Sequence, residues 1–194
     1  MKRLLLSLLV MASVSCGSMT REGTASSFLA IALLEGASGA QPDEFGGDLR
    51  SDVLTIVDDV PSIFPDAGRV TFVLQLKDPG PAGSPLTPTQ NNAITINRYR
   101  VRYIRSDGRN TQGVDVPYGF DGAFTATVFA ETEVTFTLVR AQAKYEAPLA
   151  ALAASPLLIS TIAEITFYGH DQTGREVITT GRIGVHFGNW GDPD

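Results

Sequence analysis

Arginine recurs at alternate positions in the run Arg98-Tyr99-Arg100-Val101-Arg102, and Arg105 and Arg109 follow closely. In an extended chain alternate residues share one face at a spacing of about 6.6–7 Å, so the first three guanidinium groups line up as a stripe. Each presents a planar fork that takes a carboxylate or phosphate through two parallel hydrogen bonds. That chemistry suits an anionic surface polysaccharide, a lipopolysaccharide or the acidic loop of another envelope protein. The same pattern also serves as the solvated outer face of a sheet, where charge guards against unwanted edge pairing. A second concentration is acidic: Asp43, Glu44, Asp48, Asp52, Asp58, Asp59 and Asp66 have only Arg50 as a base among them. Asp43, Asp58 and Asp59 lie in turn-like surroundings and are the candidate ligands for calcium, which loop carboxylates and carbonyls hold. Their spacing is not that of an EF-hand loop.

The two histidines, His170 and His186, carry no metal-ligand spacing. The sequence contains no G-x-S-x-G, H-E-x-x-H, phosphate-binding loop or G-x-G-x-x-G motif, so the reading is non-enzymatic. With 21 acidic residues against 15 basic, the net charge of −6 disfavours a general nucleic-acid binder.

Lys2 and Arg3 precede the apolar run Leu4–Val10, which is far shorter than the roughly 20 residues a membrane-spanning helix needs. Residues 1–15 therefore read as an export signal. The segment Ser13-Val14-Ser15-Cys16-Gly17 resembles the lipobox of bacterial lipoproteins, with Ser13 where Leu is usual, and Cys16 is the only cysteine of the chain. The resemblance implies cleavage before Cys16 and acylation of that residue, with the absence of Asp at position 17 favouring the outer membrane. Two or three acyl chains, at about 0.8 kcal/mol per buried CH₂, would anchor the protein permanently. Losing Lys2 and Arg3 leaves 13 basic residues against 21 acidic, a net charge of −8. Five of those thirteen bases fall between positions 98 and 109.

The elements that must carry these groups are strands. Residues 16–27 are small and polar and read as a lipidated cysteine with a flexible tether, leaving residues 28–194 as one domain. Phe28–Leu34 is an apolar run, and Val53–Val57 is a short β-branched one. Val70, Phe72, Leu74 and Leu76 alternate with Thr71, Val73, Gln75 and Lys77 in the two-residue period of a half-buried strand. Four prolines between Asp78 and Pro88 exclude both helix and central strand there. Ile94 and Ile96 alternate on even positions, but Tyr99, Val101 and Tyr103 alternate on odd ones, so a bulge is expected near Asn97 and Arg98. If Tyr99, Val101 and Tyr103 face the core, the three arginines must face solvent, since burying unpaired charges is prohibitive. Further strands read at Ala123–Phe129, Val134–Val139 and in a hairpin from Ile159 to Phe187. Ala141–Ala154 is the one credible helix, limited by Pro148.

About eight short strands with polar loops predict an all-β antiparallel sandwich with one short helical crossover. The hairpin Ala163–Phe187, with Tyr168-Gly169-His170-Asp171-Gln172-Thr173-Gly174-Arg175-Glu176-Val177 at its tip, resembles the last two strands of bacterial immunoglobulin-like domains. That resemblance implies an immunoglobulin-like β-sandwich and no functional residue. The function expected is that of a non-enzymatic envelope lipoprotein acting as an interaction or structural module, with binding of an anionic polysaccharide through the arginine stripe as the alternative.

Overall fold

A computed structural model describes residues 23–191; residues 1–15, read above as an export signal, and Cys16 lie outside them. In chain order the strands are β1 (Ser27–Ala37), β2 (Asp48–Asp52), β3 (Thr55–Val57), β4 (Val60–Ser62), β5 (Asp66–Leu76), β6 (Ile94–Ile104), β7 (Phe120–Gly122), β8 (Ala126–Val128), β9 (Thr132–Val139), β10 (Ile159–Asp171) and β11 (Glu176–Gly188). One helix, α1 (Ala141–Tyr145), and short 3₁₀ turns complete the described elements. The protein is an all-β sandwich. Its smaller sheet has the order β1-β5-β9, its larger one the order β2-β11-β10-β6-β7 with β8 also on β6, and β3 and β4 form a separate hairpin. All pairings are antiparallel except that of β2 with β11.

The inward phases match the alternation in the sequence. Val70, Phe72 and Leu74 of β5 and Ile165 and Phe167 of β10 are all buried in one core. The rings of Phe72 and Phe136 from the small sheet meet Phe167 from the large one edge to face, at 5.0 and 5.5 Å between centroids. Such aromatic contacts join the two layers with geometry beyond mere area burial. Gly68 of β5 is required by this packing, because a side chain there would run into the Phe136 ring.

The register slip in β6 is a β-bulge. Tyr168 pairs with Arg98 and Gly169 with Ile96, so Asn97 is the extra residue. The bulge turns Ile94 and Ile96 inward on even positions and Tyr99, Val101 and Tyr103 inward on odd ones; all five are buried. Of the strand expected at Ala123–Phe129 only β8 forms, paired with Ile94–Ile96 on one side of the bulge, while β7, which precedes the expected run, pairs with Tyr99–Val101 on the other.

Three other boundaries differ from expectation. The run Val53–Val57 is not one strand, because the buried Asp52 carboxylate accepts hydrogen bonds from Thr55 Oγ1 (2.7 Å) and Trp190 N (3.1 Å) and breaks the chain between β2 and β3. The helix expected over Ala141–Ala154 is split, since Pro148 cannot donate and disfavours helix at the residue before it. What remains is α1 and a 3₁₀ turn at Leu149–Leu152, whose Leu149 and Leu152 are buried. Finally, packing begins inside the segment read as tether: Ala25 and Ser27 are buried, and Lys77 N donates to Ser26 O at 3.1 Å.

Candidate functional site

Arg98, Arg100 and Arg102 all stand exposed on the outer face of the six-stranded sheet, alternating with buried neighbours. Across the face the register sets Arg98 beside Tyr168, Arg100 beside Thr166 and Arg102 beside Glu164 on β10. Those residues pair in turn with Ile178, Thr180 and Arg182 on β11. The surface is thus a mosaic of arginine, threonine and tyrosine with a few carboxylates.

The five arginines are not equivalent. Arg100 is held by Asp121 of β7 through Nε and Nη2, at 2.8 and 3.0 Å, and this pairing pulls the Asp121 carboxyl below its ordinary range. Arg105 and Arg109 share Asp107 in the turn after β6, with contacts of 2.6 and 3.1 Å. The hydrogen bond from Arg105 is the chief reason that the Asp107 carboxyl is held far below the usual carboxylate range. Arg98 lies over the Tyr168 ring at 4.3 Å in a cation–π contact, and its charge also acts on the Asp121 carboxylate. Glu164, the cross-strand neighbour of Arg102, is taken by Arg182 at 2.6 Å. Among the described residues Arg102 has neither a carboxylate partner nor a hydrogen bond to its side chain.

The residues expected to bind calcium are dispersed in role. Asp58 and Asp59, with φ of 50° and 62°, are the exposed central pair of the β3–β4 hairpin. Two left-handed residues between paired strands make the turn whose twist matches a hairpin, and Asp tolerates that conformation better than most side chains. Asp43 is exposed in the loop between β1 and β2. No group of three or more His, Cys, Asp or Glu side chains among the described residues could hold a metal. His170 and His186 stand at opposite ends of the β10–β11 hairpin, opposite Glu176 and Ser160 respectively. His186 Nδ1 lies 3.0 Å from Ser160 Oγ.

No protein-family model, no curated protein and no solved structure matches the chain.

Sequence reasoning passed over one cluster. Lys144 Nζ of α1 lies 2.8 Å from Asp66 Oδ1 of β5, with side-chain exposures of 1% and 0%. Ser51 of β2 donates to Asp66 Oδ2 at 2.6 Å, and Gly39 N donates to Oδ1 at 2.9 Å. Burial pushes the Asp66 carboxyl above its ordinary value, against the opposing pull of Lys144, Ser51 and Gly39. Asp66 appears in the sequence as one acid among seven, and Lys144 as the charge of an alanine-rich segment. The residues that bring them together lie 78 positions apart, so no local signal marks the pair. It ties α1 to both sheets. Nearby, Tyr103 Oη donates to Leu138 O at 2.8 Å, and burial keeps this phenol protonated far above its usual pKa. That bond satisfies the carbonyl of Leu138, the residue that β9 leaves out of its register with β5.

Proposed function

We propose that this chain is an exported, lipid-anchored β-sandwich that acts without catalysis as an interaction module of the cell envelope. Its binding surface is the outer face of the six-stranded sheet. The observation that carries this reading is the row Arg98, Arg100 and Arg102 on that face, backed by buried Tyr99, Val101 and Tyr103. Evenly spaced cations on a rigid sheet can engage an acidic partner without loop reordering, and in a chain of net charge −6 they make a dipolar surface. The lipobox-like Ser13-Val14-Ser15-Cys16-Gly17 supports anchorage at the outer membrane. Crosslinking in the host, followed by identification of captured envelope proteins, tests the module. Capture should weaken with salt and fall at least tenfold in the Arg98→Glu/Arg102→Glu double variant, while the melting temperature stays within about 2 °C. Unfolding of that variant would make the arginines structural and remove the support for this surface. Mass spectrometry of the mature protein should show an acylated amino-terminal Cys16.

The second reading, recognition of an anionic polysaccharide or lipopolysaccharide, is favoured by the uncompensated charge of Arg102. Its forked donors fit sulfate, phosphate and carboxylate groups alike.

A further inference from the structure

Beside the stripe, Arg100, Arg102, Gln112, Gly119, Phe120 and Asp121 line a shallow polar basin at the β6–β7 edge. Its hydrogen-bond capacity is asymmetric. Arg100 commits Nε and Nη2 to Asp121, which leaves Nη1 available. Gln112 accepts from Gly119 N through Oε1 at 3.1 Å, which fixes the amide and leaves its Nε2 as a donor. Arg102 brings a whole guanidinium fork. The basin thus offers donors from three side chains, while its one carboxylate is already neutralised by Arg100.

We infer that this basin is a subsite for a monoanionic oxyanion group, a uronate carboxylate or a sulfate ester, carried on an extended polysaccharide. The inference rests on the polysaccharide reading above and names its ligand class and contact residues. A singly charged group is selected because Asp121 lines the basin and Glu164 flanks Arg102 on the neighbouring strand. Both are paired with arginines, yet both raise the cost of a second negative charge. A polymer is selected over a lipid surface by the charge distribution. A planar anionic bilayer meets the field of a molecule with net charge −6, whereas a single chain running along β6 meets mainly the positive strip. Tyr168, Thr166 and Thr180 extend a polar, flat surface beside it for sugar hydroxyls.

The test measures binding of the full-length protein in neutral detergent to immobilised polygalacturonate and dextran sulfate, with neutral dextran as comparison, and binding of the unlipidated Cys16→Ser variant without detergent to phosphatidylglycerol vesicles. The expected result is salt-sensitive retention on one or both anionic polymers and none on neutral dextran. Arg102→Gln should weaken retention at least tenfold and Gln112→Ala about threefold, both with unchanged circular dichroism. Polymer binding that is indifferent to Arg102→Gln and Gln112→Ala but lost in Arg98→Glu/Arg182→Glu overturns the basin and leaves the polysaccharide reading standing. Failure to bind either polymer overturns both, and the protein-partner reading is then judged by crosslinking alone. Retention of that unlipidated variant on vesicles, without retention of the protein on polymers, also overturns the inference, in favour of a lipid headgroup.

Discussion

Buried charge at Lys144 and Asp66 is the most consequential residue-level feature of the interior. Desolvating two ions is costly, and a well-packed apolar pair of similar volume often serves as well, whereas deleting one partner strands the other. Lys144→Met should therefore destabilise the protein by about 3–5 kcal/mol in chemical denaturation, and Lys144→Met/Asp66→Leu should recover much of that loss. Carboxylates elsewhere set the acid limb of stability. Arg100 lowers the Asp121 carboxyl; in the β10–β11 turn, Asp171 is pushed up by desolvation but pulled further down by hydrogen bonds from Thr173 and Arg175, so its net shift is downward. A depressed folded pKa contributes stability that is present above the ordinary carboxylate value of roughly 3.9 and is lost as pH falls through the folded value. The melting temperature should thus decline below about pH 4, less steeply in Asp121→Asn, with both carboxyls titrating below that ordinary value by NMR. Asp66 acts in the opposite sense: its raised pKa favours the folded state at low pH, an advantage lost as pH rises through the folded value.

Among the elements, the β3–β4 hairpin isolates backbone preference from packing, since Val57, Asp58, Asp59 and Val60 are all exposed. Both central residues are left-handed, a conformation costing a non-glycine residue roughly 1–2 kcal/mol. Asp59→Gly should leave thermal stability equal or raised by up to about 1 kcal/mol, while the β-branched Asp59→Val should lower it by a similar amount. The bulge at Asn97 is the other element whose geometry matters, because it keeps both halves of β6 facing the core. Straightening the bulge with Asn97 retained would turn Arg98, Arg100 and Arg102 inward, whereas deleting Asn97 sets Ile94, Ile96, Tyr99, Val101 and Tyr103 in one inward phase. Retention of the folded β signal in circular dichroism is therefore the expected outcome both for deletion of Asn97 and for Asn97→Ser. The bulge was legible as a phase slip because five apolar residues report the inward face. The strand β7 was not, since three residues show too little alternation to carry a period.

At the scale of the whole molecule, stability depends on one interface between two sheets of unequal size. Phe167 is central to it, contacting Phe72, Tyr99, Phe124 and Phe136. Phe167→Ala should cost about 3–5 kcal/mol and lower the midpoint of a single cooperative transition monitored by both near- and far-ultraviolet circular dichroism. Two separated transitions would show that the sheets melt independently. The amino-acid sequence by itself determined the all-β class, the inward phases of β5 and β6, and the exposure of the arginine stripe. These follow from the period of two and the cost of burying charge, which act on neighbours along the chain. Tertiary structure decided which arginines are compensated, because Asp121, Glu164 and Tyr168 reach the stripe across strand pairings that no local pattern encodes. It decided likewise that Asp66 meets Lys144 in the interior, where α1 and β5 converge. Charge along a chain is visible as composition, but its neutralisation is a property of distance in space.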